Sequence, residues 1–294
     1  MIRLRAQTGT ELSAGSDPGG AGSGRDHAPR INESDALLTV RNLCVHYPGA
    51  PEPTLKLGEL SFNKGSFTCL LGRSGCGKST LLSCIAGLVK PAAGQMIWHG
   101  GSRPSGQVGM VFQEAGLFPW MDAISNVTIA LRDRQAPKSE KVARARQALA
   151  AVGLGGKEKL YPGQLSGGMK QRVVLARYLA AECELLLMDE PFSGLDQFGR
   201  EEMQDLLVQL YLERRMTCVF VTHSLVEAIY LGSRVVVLGG APADIVDDVS
   251  ISDPYPRPAE SRVSSDRAPV RERLYLALRP PQHGSEGGGG ADVE

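Results

Sequence analysis

The stretch GRSGCGKST, Gly72 to Thr80, constrains the fold more than any other part of this chain. An apolar run, SFTCLLG (66–72), leads straight into it, and a helix-patterned run, KSTLLSCIAGL (78–88), leaves it. Glycines at 72, 75 and 77 let the backbone turn so that successive N–H groups point at one anion, and the helix that follows adds its positive end. Lys78 is then placed to reach the β- and γ-phosphates of a nucleotide, and the Ser79 hydroxyl to ligate Mg²⁺. Strand, Gly-x4-Gly-Lys-Ser loop and helix, in that order, make a complete P-loop.

The surrounding pattern agrees with a P-loop domain. ALLTVRNLCVHY (36–47) alternates like a strand or strand pair, and QMIWHG (95–100) and VGMVFQ (108–113) are further strand candidates. A helix-patterned middle follows in KSEKVARARQALAAVGL (138–154) and MKQRVVLARYLAA (169–181). Strand signal returns in ELLLMDE (184–190) and TCVFVTHS (217–224), separated by a helix with Met203, Leu206, Leu207 and Leu210 at i, i+3, i+4 and i+7. RVVVLG (234–239) is read as the last strand. Continuous apolar runs mark strands buried on both faces, and their alternation with helices predicts an α/β domain with a mostly parallel sheet. The block at about 114–180 interrupts that alternation and reads as a helical insertion. Residues 1–35 and 281–294, rich in Gly, Ser, Asp and Pro, are expected to be disordered. The P-loop domain is expected over 36–250, with a tail at 251–280 whose last helix packs Val270, Leu274 and Leu278 on the domain.

Composition excludes several functions. With 32 basic and 32 acidic residues the formal charge is zero, which argues against a sequence-independent nucleic-acid binder. No apolar run approaches the roughly 18 residues of a membrane span, and MIRLRAQTGT lacks the apolar segment of a secretory signal. Six scattered cysteines without a CxxC pair read as reduced thiols.

Two more stretches bear on phosphate chemistry. LLLMDE ends an apolar strand in Asp189, a carboxylate suited to the Mg²⁺ shell, and Glu190 follows, suited to orient or deprotonate a water. LSGGMKQR offers a second anion grip: the Ser166 hydroxyl, the Gly167 and Gly168 N–H groups, and a helix start. One chain thus carries two grips.

With LSGGM the chain resembles the ATP-binding subunits of ABC transporters, over roughly residues 36–280. Tyr47 in VHYPG matches the aromatic that stacks on adenine, Gln113 in MVFQE the Q-loop glutamine, and LSGGM the signature. LLLMDE matches Walker B, SGLD (Ser193 to Asp196) the D-loop, and His223 in VTHS the switch histidine. The resemblance implies a P-loop NTPase core with an antiparallel β subdomain and an inserted α-helical subdomain. It implies ATP held by Tyr47, Gly72, Ser74, Gly75, Cys76, Gly77, Lys78, Ser79 and Thr80, with Mg²⁺ on Ser79, Gln113 and Asp189. Glu190, His223 and Gln113 would be catalytic. In such ATPases two domains pair head to tail, so Ser166, Gly167, Gly168 and Asp196 would serve the nucleotide of a second ATP-binding subunit, either another copy or a close paralogue.

GMVFQEAGLFPWMDAISNV, YPGQLSGGMKQRV and EPFSGLD look like the nitrate/sulfonate/taurine branch of importers. That implies membrane permease subunits as partners, a solute-binding protein acting outside the cytoplasm, and a peripheral place on the cytoplasmic face of the membrane. The alternative is a soluble ABC ATPase acting on nucleic acid or ribosomes. Such chains usually carry two nucleotide-binding domains or a long coiled-coil insertion, and this one shows neither; no nucleic-acid partner is expected. Three positions depart from the pattern: Gly194 where alanine is commoner, DQFGRE without its usual threonine, and Tyr178 where a small residue is usual.

Overall fold

A computed structural model describes residues 35–101, 108–131 and 136–279. The disorder expected at 1–35 and 281–294 falls, Asp35 aside, outside these residues.

The strands are β1 (Ala36–Val45), β2 (Leu55–Asn63), β3 (Phe67–Gly72), β4 (Ala93–Trp98), β5 (Val108–Val111), β6 (Leu185–Asp189), β7 (Thr217–Thr222), β8 (Arg234–Gly240) and β9 (Ala243–Ser250). They form one sheet in the order β4-β1-β2-β9-β8-β3-β7-β6-β5. The run β8-β3-β7-β6-β5 is parallel, whereas β1 pairs antiparallel with β2 and β4, as β8 does with β9. The helices are α1 (Lys78–Ile85), α2 (Ala123–Thr128), α3 (Lys138–Ala151), α4 (Gly167–Ala180), α5 (Gln197–Arg214), α6 (Leu225–Leu231) and α7 (Ala268–Ala277). The α/β fold with its mixed sheet is as the sequence implies.

The apolar runs are continuous because both sheet faces are covered. In β6, Leu186 and Met188 join the core under α4 and α5, while Leu185 and Leu187 join the core shared with α1 and the antiparallel strands. In β7, Cys218 and Phe220 face the first core and Val219 and Val221 the second. Each fully buried Leu or Phe contributes about 1.5–3 kcal/mol, so these two faces supply the main stabilisation. Helices α2, α3 and α4 pack on one another between β5 and β6. The final helix lies on the first core, with Leu274 fully buried and Val270 and Leu278 packed against it.

RVVVLG is not the last strand. Strand β9 follows it, in a segment whose three aspartates hide its strand character. The fold pairs two of them: Asp248 accepts from Arg234 Nε at 2.7 Å, and Asp247 from Arg273 Nε at 2.9 Å. Tyr178 is also accounted for. Its ring fills the space over Gly109, where a Cβ would stand 2.4 Å from Tyr178 Cδ1, and its hydroxyl donates to the Met110 carbonyl.

Candidate functional site

The P-loop joins β3, which lies between β8 and β7 in the parallel run, to α1. Gly77 caps α1 with φ 99°, a conformation L side chains rarely adopt, and a Cβ there would stand 2.7 Å from Leu55 Cδ2. Gly72 is demanded by space: its Cβ would lie 2.6 Å from the Leu238 carbonyl oxygen and 2.8 Å from Cys76 Sγ. Gly75 meets no neighbour but has φ +80°. The loop thus needs glycine at 72, 75 and 77 for three different reasons.

Lys78 is buried and folded back on the loop. Its Nζ donates to the carbonyls of Gly72 (2.9 Å) and Arg73 (2.8 Å) and lies 3.9 Å from Cys76 Sγ. Ser74 and Ser79 are exposed, whereas Thr80 is buried. The hydroxyls of Tyr47 and Thr80 lie 3.3 Å apart, which holds the half-exposed Tyr47 ring beside the start of α1.

Strands β6 and β7 bring their carboxyl ends to the same edge. Ser79 Oγ donates to Asp189 Oδ1 at 2.9 Å. Burial pushes the Asp189 carboxyl up from its ordinary range, and the Ser79 hydrogen bond opposes that shift. Glu190 adopts φ 42°, left-handed and uncommon for a non-glycine residue, while its N–H donates to the Val221 carbonyl at 3.1 Å. Backbone strain of this kind gathers at sites where a side chain must be aimed. Here Glu190 Oε2 meets His223 Nδ1 at 3.0 Å. An ionised carboxylate only accepts, so the proton of that bond sits on Nδ1. Ser79, Asp189, Glu190 and His223 therefore form one run beside Lys78.

The other residues singled out from the sequence stand elsewhere. Gln113 is exposed two residues beyond the edge strand β5. Ser166 caps α4, its hydroxyl accepting from the Met169 N–H at 3.3 Å. A Cβ on Gly167 would touch Leu195 Cδ2 at 3.3 Å, so signature and D-loop are neighbours. Gly168 would meet nothing within 4 Å, and its φ is not left-handed. Nothing among the described residues of this chain requires glycine there. Asp196 caps α5, accepting from the Gly199 N–H at 2.8 Å. A cavity of about 470 Å³ opens at the opposite edge of the sheet, among Leu175, Tyr178, Leu186 and Met216, and none of these motif residues lines it.

Sequence reasoning missed Glu227 and the helix that carries it. The signal was present: Ser224-x-x-Glu227 has the spacing of a capping box, and the Ser224 hydroxyl does accept from the Glu227 N–H at 3.3 Å. The Glu227 side chain does not reach back to the cap. It accepts from Thr222 Oγ1 at 2.5 Å instead.

The ABC transporter family matches residues 55–193. The chain is 42% identical over 218 residues to the taurine import ATP-binding protein TauB of Pseudomonas fluorescens, covering 74% of this chain and 83% of that protein. It is 38% identical over 254 residues to the bicarbonate transport ATP-binding protein CmpD of Synechocystis, covering 84% and 90% respectively. Among solved structures, cbiO1 of Clostridium perfringens, part of an ABC transporter complex, superposes with TM-score 0.69 at 25% identity over 82% of this chain and 99% of its own. The ATP-binding cassette MJ0796, in a dimeric post-hydrolysis state with ADP and Pi, superposes with TM-score 0.65 at 30% identity over 74% of this chain and all of its own.

Proposed function

This chain belongs to the ABC transporter family of ATP-binding proteins, and from that premise we propose that two ATP-binding subunits, identical or paralogous, close head to tail on ATP to drive solute import through a membrane permease. The observation that carries the reading is the run Ser79, Asp189, Glu190 and His223 at the mouth of the P-loop.

Lys78 leaves the Gly72 and Arg73 carbonyls for the β- and γ-phosphates, and the loop N–H groups hold the β-phosphate. Tyr47 stacks on the base. The oxygens of Ser79, Gln113 and Asp189 are hard donors of the kind Mg²⁺ takes, and the first and last already converge at 2.9 Å. When bound, the ion neutralises charge on the β- and γ-phosphates. Glu190, oriented by the Nδ1–H of His223, accepts a proton from the attacking water. The free space at Gly168 supports the other half of the reading, because a glycine unneeded within its own chain is explained by close approach from outside. Ser166, Gly167, Gly168 and Asp196 grip the γ-phosphate held by the partner subunit's P-loop.

Among the described residues no helix is long and apolar enough to cross a membrane. Membrane attachment in this reading comes from the permease, on the cytoplasmic face. The relatives' named solutes, taurine and bicarbonate, together with the importer-like motifs, support a small solute bearing an oxyanion group, such as taurine, another sulfonate, nitrate or bicarbonate, as the proposed class of cargo.

A mixing experiment tests the composite site. Neither Lys78→Ala nor Gly168→Asp should hydrolyse ATP alone. In a head-to-tail pair both lesions fall in one site, so mixing the two should restore part of the activity. Mixtures as dead as either variant, together with a Glu190→Gln chain that stays monomeric in ATP on gel filtration, would overturn the reading.

A further inference from the structure

Glu227 is a buried carboxylate, 8% exposed, that the chemistry above does not use. Burying such a charge costs several kcal/mol unless its partners are well placed, so its surroundings are informative. Three groups face it. Thr222 Oγ1 donates to Oε2 at 2.5 Å, Gln204 Nε2 donates to Oε1 at 3.1 Å, and Arg200 Nε lies 3.8 Å from Oε1. Thr222 and Ser224 flank His223. The Thr222 hydroxyl also accepts from the Ser224 N–H at 2.9 Å, and the Ser224 hydroxyl accepts from the Glu227 N–H. His223 is exposed, yet the turn that carries it is closed on both sides by Glu227.

Gln204 extends this lock in a fixed direction. Its Nε2 donates to Glu227 and its Oε1 accepts from Arg262 Nε at 3.2 Å. A carboxylate cannot donate and a guanidinium cannot accept, so the amide has a single workable orientation. Arg262 belongs to the C-terminal tail, with its guanidinium 3.8 Å from the Tyr230 ring centroid and bonded to Asp205. Arg200 and Gln204 lie on α5, the helix that Asp196 of the D-loop caps.

We propose that Glu227 is a positioning residue: it locks the turn that presents His223 to Glu190, and through Gln204 it ties that turn to the D-loop helix and to Arg262 of the tail. The proposal rests on the ATPase reading above, and it gives the tail a part in hydrolysis. Glu227→Gln is the sharpest perturbation. The new amide can still accept from Thr222, but its NH2 then faces the NH2 of Gln204. Gln204 must flip, which breaks its bond to Arg262.

The test uses the full chain. Glu227→Gln should lower the rate of ATP hydrolysis about tenfold, while affinity for MgATP stays within about twofold because Lys78, Ser79 and Tyr47 are untouched. The His223 imidazole resonance, assigned by comparison with His223→Ala, should move. Thr222→Val should act in the same direction, and Thr222→Ser, which keeps the hydroxyl, should recover most of the loss. A merely structural role lowers the melting temperature without separating rate from affinity. Unchanged hydrolysis in Glu227→Gln and Thr222→Val, a parallel fall in affinity, or a motionless His223 resonance would overturn the proposal. If the parent chain itself fails to hydrolyse ATP, the ATPase reading falls, and the His223 resonance still decides whether Glu227 positions the turn.

Discussion

Gly168→Asp separates what this chain needs from what a second subunit needs. Gly168 is the second residue of α4, and a Cβ placed there meets no atom within 4 Å. Replacing this half-buried helical glycine, over which a side chain has room, recovers backbone entropy, a few tenths of a kcal/mol for aspartate. A carboxylate in the first turn of a helix adds about 0.3–1 kcal/mol through the dipole. The sum is about 1 kcal/mol of added stability, which for a fold of this size raises the melting temperature by about 2–4 °C. At the composite site the sign reverses. A carboxylate about 4 Å from a γ-phosphate charge, at the effective dielectric of a partly exposed site, costs about 4 kcal/mol, or about a thousandfold in rate. Thermal unfolding without nucleotide, nucleotide binding at dilutions that keep the chain monomeric, and steady-state hydrolysis read the three quantities separately. The expected result is a melting temperature unchanged or raised, binding intact, and hydrolysis lost. A variant that melts lower would refute the free space at Gly168, one that loses nucleotide as a monomer would place the signature in its own chain's site, and one that hydrolyses normally would remove Gly168 from the γ-phosphate altogether.

Three other outcomes are expected. Lys78→Ala should abolish tight binding of MgATP, measured by equilibrium titration, because it removes the side-chain cation placed to reach the β- and γ-phosphates; unchanged affinity would count against the P-loop assignment. Gly72→Ala should destabilise the chain by about 1–3 kcal/mol and weaken nucleotide binding together, since the new methyl would press at 2.6 Å on the Leu238 carbonyl, which sits in the sheet and cannot swing away; equal melting temperatures would show that the strand yields. Burial raises the Asp189 carboxyl's pKa in the fold, so the folded state binds that proton more tightly than the unfolded chain does. Mg²⁺ needs the ionised form, and its affinity should therefore fall with pH at values where an ordinary aspartate remains charged; Asp189→Asn should remove that component from a magnesium titration across pH.

The glycines of the P-loop could be read in one dimension because each answers a demand on the local backbone. Gly75 and Gly77 supply positive φ, and the strand before them and helix after them keep their own periods. The order of Tyr47, Gln113, LSGGM, Asp189, Glu190, SGLD and His223 carried the family in the same way. Helix α6 and strands β2 and β9 escaped that reading. In β9 the strand is stabilised by partners on β8 and α7, whose arginines neutralise Asp248 and Asp247, and no local pattern announces a charge that is cancelled from a distance.

The chain's sequence by itself determined the α/β class, the phosphate-binding loop and the residue types available for hydrolysis, because strand burial, helix caps and glycine turns are short-range requirements. Only the tertiary structure decided which of those residues meet. It brings Ser79 onto Asp189 across 110 positions and His223 onto Glu190 across 33. It leaves Ser166 and Gly167 exposed and a Cβ on Gly168 without a neighbour. It also makes Tyr178 acceptable by laying it over Gly109 and sets Glu227 between Thr222 and Gln204. Such contacts depend on sheet order and on the packing of α4 and α5, and strand order is settled by which apolar faces can be buried together rather than by any residue's neighbours along the chain.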